Sequence, residues 1–177
     1  VAKLHLLDSL TVLTSGDFAG KKLIDVGCGA GFPGVPLAIG CPELDVTLLD
    51  SLGKRVNWLK EILPQLGVSA QCVTARAEEA AAERRESYDY AVSRAVARLN
   101  ILLELTAPYV KVGGAVLAMK GSAAREELAE CTSAIKKLGL KLESVKEFSI
   151  DGASHAVIVL RKTAPTPKQY PRRYAKI

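Results

Sequence analysis

A chain of 177 residues, 49% hydrophobic but only 5% aromatic, has the size and apolar content of one domain with an aliphatic core. No apolar run approaches the roughly 18 residues of a membrane-spanning helix and no secretory signal pattern opens the sequence, so a soluble, cytoplasmic protein is expected. The net charge of +5 is unevenly placed: Arg161 to Ile177 hold six basic and no acidic residues, whereas the other 160 residues hold 18 basic and 19 acidic ones, which points to a polyanionic partner for the tail.

The chain opens on Val1 rather than Met. Leu4, Leu6, Leu7, Leu10, Val12 and Leu13 read as the middle of an amphipathic helix interrupted by Asp8, Ser9 and Thr11, as though this end were processed or cut. A Ser15-Gly16-Asp17 turn precedes a first strand, Lys22 to Val26. There the apolar, β-branched run gives way to Gly27, Gly29, Gly31 and Gly34, then to a helix that begins near Pro33 and closes at Gly40 and Pro42. Strand, glycine turn and helix together let backbone N–H groups approach a ligand closely.

A second strand, Val46 to Leu49, ends in Asp50, and an amphipathic helix follows over Gly53 to Leu66, with Pro64 in its last turn. Ala70 to Thr74 reads as a third strand, after which Arg76-Ala-Glu-Glu leads into an alanine-rich helix. Tyr88 to Val92 reads as a fourth strand, followed by Ser93-Arg94-Ala95-Val96 and a helix through Leu105. Beyond a Gly113-Gly114 turn, Ala115 to Met119 forms a fifth strand, and a helix over Ala123 to Leu138 stops at Gly139. Leu140 to Ile150 and Ala156 to Leu160 read as an antiparallel pair joined by Asp151-Gly152. The prolines at 165, 167 and 171 leave the remainder, residues 163–177, as an extended basic tail beyond a domain over 1–162.

Alternating strands and helices imply an α/β fold, a seven-stranded, mostly parallel sheet with helices on both faces and a final antiparallel strand. Ligands of such sheets sit beyond the carboxyl ends of the strands. The glycine turn, Asp50, the Arg76 segment and Ser93-Arg94 therefore share one rim.

The dinucleotide pattern G-x-G-x-x-G requires a glycine at position 32, and Phe32 stands there instead. The pattern present is G-x-G-x-G over Gly27, Gly29 and Gly31, preceded by Asp25. It resembles the S-adenosylmethionine turn of Rossmann-like methyltransferases, and the spacing is compatible with a cofactor that has a cationic sulfonium and an amino-acid tail but no pyrophosphate; Asp50 is placed to accept from ribose hydroxyls. On the residues alone two other readings stay open: an NAD-dependent oxidoreductase, and a non-catalytic nucleotide-cofactor or RNA-binding assembly factor.

Longer strings carry a more specific likeness. Asp25-Val-Gly-Cys-Gly-Ala-Gly-Phe-Pro-Gly-Val-Pro-Leu, Asp50-Ser-Leu-Gly-Lys-Arg-Val, Arg76-Ala-Glu-Glu, Ser93-Arg-Ala-Val-Ala, Ala118-Met-Lys-Gly and Arg161-Lys-Thr-Ala-Pro-Thr-Pro-Lys-Gln-Tyr-Pro-Arg-Arg are spread over nearly the whole chain. Together they resemble the ribosomal RNA small subunit methyltransferase G family, also called glucose-inhibited division protein B. The resemblance implies a Rossmann-like enzyme that moves a methyl group from S-adenosyl-L-methionine to ring nitrogen 7 of one guanosine in bacterial 16S ribosomal RNA, with the small ribosomal subunit as its partner. It places the family's cofactor contacts on Gly27, Phe32, Ala77, Glu78 and Arg94, and the bottom-up reading adds Asp25, Gly29, Gly31 and Asp50. Two departures are the missing helical segment of the family ahead of Leu7 and an ending, Tyr174-Ala-Lys-Ile, without the family's Gly-x-Pro.

Because nitrogen 7 has an in-plane lone pair and no proton to lose, no general base is nominated. Arg94 is the one positioning candidate. Lys54, Arg55, Lys120, Lys168, Arg172 and Arg173 are candidate phosphate contacts, and Tyr170 and Tyr174 can stack on bases. His5 and His155 are isolated in sequence and lack metal-ligand spacing, so no metal site is expected. Cys28, Cys41, Cys72 and Cys131 show no CxxC spacing and read as reduced, structural thiols. A monomer is expected.

Overall fold

The computed structural model describes residues 1–177. Seven strands, β1 (Lys22–Val26), β2 (Asp45–Asp50), β3 (Gln71–Thr74), β4 (Tyr88–Arg94), β5 (Val110–Lys120), β6 (Leu140–Ile150) and β7 (Ala153–Lys162), form one sheet in the order β3-β2-β1-β4-β5-β7-β6. The first five run parallel, and β7 is inserted antiparallel between β5 and β6.

Strand side chains alternate between faces, and the core divides accordingly. Ile24, Leu49, Val116 and Ile158 enter one cluster with Leu99, Leu102 and Leu103, whereas their neighbours Leu23, Leu48, Leu117 and Val159 enter a second with Leu37, Leu59 and Leu63. Helices cover both faces: α1 (Ala2–Thr11), α2 (Gly34–Gly40) and α3 (Gly53–Gln65) on the second, α4 (Ala77–Ala80), α5 (Leu99–Thr106), α6 (Ala124–Glu130) and α7 (Thr132–Lys137) on the first. The near-continuous apolar runs of the central strands are a consequence of burial on both sides.

Several boundaries differ from the sequence expectation. Asp8, Ser9 and Thr11 do not interrupt the first helix, because the Ser9 hydroxyl donates to His5 O at 2.7 Å and Asp8 finds side-chain partners elsewhere. The alanine-rich helix is a single turn. Gly113 and Gly114 lie inside β5, not before it: a Cβ on Gly114 would stand 2.3 Å from Asp89 O, so only glycine lets β5 pass this close to β4. The expected helix over Ala123 to Leu138 is two helices, broken where Cys131 turns into the core and donates its N–H to Leu128 O at 3.0 Å.

The tail is extended but not free. Thr166 donates its hydroxyl to Leu138 O at 3.0 Å, and Arg85 donates to Thr166 O, Pro167 O and Tyr170 O at 2.7, 3.0 and 2.8 Å. The chain ends in a short 3-10 turn over Tyr174–Lys176.

Candidate active site

The glycine turn is fastened to the ends of β1 and β2. Gly27 and Cys28 donate their N–H groups to Leu49 O at 2.8 and 3.0 Å, and Gly29 N–H reaches Asp50 Oδ2 at 2.9 Å. Gly27 (φ 73°), Gly29 (φ 55°) and Gly31 (φ 96°) all occupy the left-handed region that a Cβ disfavours. Below the turn, fully buried Asp25 accepts from Gly34 N–H at 2.8 Å through Oδ2, while Oδ1 has no partner. Burial pushes the Asp25 carboxyl up to about 7, partly opposed by the Gly34 bond and the Arg94 charge. Burial, with Asp25 and Asp50 nearby, likewise pushes the Cys28 thiol up, which keeps it protonated.

Above the turn lies a cavity of about 450 Å³. Gly27, Gly29 and Phe32 form its floor and one end. Asp50, Leu52 and Arg55 form a side, Ala77 and Glu78 follow β3, and Arg94 and Val96 stand at the end of β4. Asp50 is 6% exposed, its carboxylate also held by Leu52 N–H at 2.9 Å and facing Arg55 at 3.8 Å. Although burial raises Glu78, the Arg76 guanidinium at 2.9 Å and the backbone N–H groups of Glu78 and Tyr174 outweigh it and hold the carboxyl below its usual range.

Arg94 is the last residue of β4 rather than part of a following turn. Ala95 then adopts φ 54°, and the chain reverses so that Val96 covers Gly27 closely enough that a Cβ there would meet Val96 Cγ2 at 2.5 Å. The Arg94 guanidinium lies over the Phe32 ring at 5.5 Å, and its NH1 reaches Asp8 Oδ2 and His5 Nδ1, both at 3.3 Å. Asp8 Oδ1 in turn meets His155 Nδ1 at 3.0 Å. His5 and His155, isolated in sequence, thus share one polar cluster with Asp8 and Arg94.

Seven expected residues line the cavity: Gly27, Gly29, Phe32, Asp50, Ala77, Glu78 and Arg94. Arg55, expected at a phosphate, lines it too, whereas Asp25 and Gly31 do not. Asp25 is a correction: with no surface exposed and no place in the cavity lining, it supports the turn at Gly34. Gly31 packs instead toward Val35 and Leu59.

Among the phosphate candidates, Lys54, Lys168 and Arg173 are exposed. Lys120 is a correction: it turns inward, donating to Ala97 O at 2.6 Å and facing Glu127 at 3.3 Å. Arg172 pairs bidentately with buried Glu104 while its side chain stays 45% exposed. Sequence reasoning missed Val96, Leu105 and Tyr174 as walls; Tyr174 had only its ring to signal it, and as a base-stacking candidate.

Residues 1–157 match the family model described as rRNA small subunit methyltransferase G. The chain belongs to that family. It is 45% identical over 179 residues to the ribosomal RNA small subunit methyltransferase G of Clostridium beijerinckii, an alignment covering 98% of this chain and 75% of that one. The protein of the same name from Alkaliphilus metalliredigens is 46% identical over 175 residues, covering 96% and 73%. Among solved structures, geranyl diphosphate methyltransferase in complex with SAM superposes with a TM-score of 0.74 at 12% identity, covering 92% of this chain and 87% of that one, and this likeness establishes the Rossmann-like fold. No helix of this family member is long and apolar enough to cross a membrane.

Proposed function

We infer that the chain transfers a methyl group from S-adenosylmethionine to ring nitrogen 7 of a guanosine in 16S ribosomal RNA. The observation that carries the reading is the open cradle over the glycine turn. A Cβ on Gly29 would meet nothing within 4 Å, so space for a ligand lies directly above that backbone. A cavity of about 450 Å³ is within the range of small-molecule sites. The donor set also fits. Two N–H groups occupy part of the Asp50 carboxylate, and a carboxylate has about four acceptor positions, so some remain for ribose hydroxyls. Phe32 fills the place where a dinucleotide site needs glycine, which disfavours NAD.

Ala77 and Glu78 face the adenine in this reading, with Phe32 and Arg94 at the opposite, reacting end. When bound, the cofactor supplies an electrophilic methyl group on a sulfonium. Guanine nitrogen 7 already presents a lone pair, so the chain's residues have only to bind, orient and exclude water. Such positioning supplies on the order of 7–11 kcal/mol in favourable cases. Arg94, with NH1 committed to Asp8 and His5, keeps the rest of its guanidinium for an acceptor oxygen at the cavity mouth. Lys54, Arg55, Lys168 and Arg173 serve as phosphate contacts.

The test is incubation with labelled S-adenosylmethionine and unmodified 30S subunits, followed by mapping of 7-methylguanosine through borohydride-aniline cleavage. Label in RNA at a cleavable guanosine is expected; label only in protein, or at an uncleavable position, refutes the assignment. Thermal stabilisation by NAD but not by S-adenosylhomocysteine would overturn the cofactor.

A further inference from the structure

The last residues of the chain reach the cofactor cavity. Tyr174 lines it beside Glu78, although it stands 69 positions after Leu105, the preceding wall residue in sequence. Three sets of contacts hold the segment that delivers it. Thr166 is tied to Leu138 O, and Arg85 grips three carbonyls between Thr166 and Tyr170. Most firmly, Arg172 directs its own N–H, Nε and NH2 onto Glu104 at 2.8, 2.9 and 2.7 Å. Glu104 lies on α5 and is 4% exposed, so its charge is compensated mainly by this one arginine. Two residues further on, Tyr174 lines the cavity with its backbone N–H on the Glu78 carboxylate, while Arg173 and Lys176 are exposed to solvent.

Resting on the reading of the cavity as an S-adenosylmethionine site, we propose that Tyr174 is a further cofactor-binding residue, its ring closing the nucleoside end against the adenine, on a strap locked down by Arg172 and Glu104. The chemistry is that of an aromatic face against a purine, which needs the ring and not the hydroxyl. The strap also joins two functions. Arg173 and Lys176 flank the same tyrosine, so a phosphate held by either cation restrains the segment that covers the cofactor, and each ligand favours the other through the ordering they share. This coupling is invisible in the G-x-G-x-G turn, which lies at the other end of the chain.

Calorimetric titration of S-adenosylhomocysteine into the full chain and into Tyr174→Ala, Tyr174→Phe and Glu104→Gln variants tests the assignment. Tyr174→Ala is expected to weaken binding about tenfold, the scale of one base–aromatic stack, with Tyr174→Phe close to the parent. Glu104→Gln, at a residue that does not itself line the cavity, is expected to weaken binding in the same direction by releasing the strap, with the last residues becoming susceptible to trypsin. An unchanged affinity in Tyr174→Ala would overturn the proposal, and a tighter one would do so by making the ring a plug. Should the parent chain itself fail to bind S-adenosylhomocysteine, the cofactor reading falls along with this one; normal parent binding with indifferent variants removes this proposal and leaves the cofactor reading standing.

Discussion

Asp8 and Arg94 are 86 positions apart in the chain and 3.3 Å apart in the fold. Asp8 bridges Arg94 and His155, so α1, the end of β4 and the start of β7 meet at one carboxylate. Both partners of the ion pair are largely shielded from water, which gives the bond more weight than a surface pair has. Asp8→Ala should lower stability by roughly 2 kcal/mol in urea denaturation, the scale of a hydrogen bond to a charged group. It should also weaken S-adenosylhomocysteine binding severalfold, because Arg94 is then free to leave the face of Phe32. Asp8→Asn, which keeps one acceptor oxygen, should recover part of both losses. Unaltered affinity in Asp8→Ala would show that Arg94 is held by its other contacts.

Two glycines of the turn should separate folding from binding. At Gly27 the left-handed backbone and the 2.5 Å approach to Val96 act together, so Gly27→Ala should lose about 1–3 kcal/mol from strain alone and bind no cofactor. At Gly29 the backbone is also left-handed, but nothing lies within 4 Å of a Cβ. Gly29→Ala should therefore fold, at a cost of about 1 kcal/mol, and lose affinity out of proportion to its stability because the new methyl points into the ligand's space. Thermal denaturation with and without S-adenosylhomocysteine distinguishes the two. Equal ligand-induced stabilisation of Gly29→Ala and the parent would place the ligand elsewhere.

The sheet was legible in the sequence because burial on both faces writes itself as apolar runs, and glycine and proline mark where those runs end. The cavity floor was legible for a related reason: Gly27 and Gly29 are needed by the backbone itself. Long-range polar pairing left no such trace. Nothing near His155 in sequence announces Asp8 on α1, and nothing near Arg172 announces Glu104 on α5. Charge counting misleads most at Lys162. It belongs to the basic C-terminal stretch by composition, yet it is 1% exposed and donates to Ala107 O and Val110 O at 2.7 and 2.9 Å. Arg161, next to it, is paired with Glu143, so the cations the tail offers to solvent are fewer than its sequence suggests.

Asp25 should leave its mark on the pH dependence of stability. Its carboxyl titrates near 7 in the folded chain, chiefly through burial, against 3.8 as the reference for an exposed aspartate. Between those values the folded state holds a proton that the unfolded state has released, so stability falls as pH rises from about 4 to about 7, then levels off with respect to this group. Asp25→Asn cannot ionise and should flatten that part of the curve, while its amide oxygen retains an acceptor for Gly34 N–H. Urea denaturation of both chains at intervals from pH 4 to 8 measures the difference. An identical slope in the two would mean that Asp25 is ionised throughout the folded range.

Arg173 should respond in a salt titration of RNA binding, and Lys120 should not. Neutralising a phosphate contact reduces the slope of log affinity against log salt by about 0.7–1 per charge. Arg173 is exposed on the tail, and Arg173→Ala should show that reduction. Lys120 ends inside the fold, on Ala97 O and Glu127, where it secures the segment whose Val96 covers Gly27. Lys120→Met should therefore leave the salt slope unchanged while weakening S-adenosylhomocysteine, because the 95–98 segment loses its anchor. Filter binding of 16S RNA from 50 to 200 mM salt, paired with cofactor titration, reads both effects. A reduced slope in Lys120→Met with normal cofactor binding would return this lysine to the RNA surface.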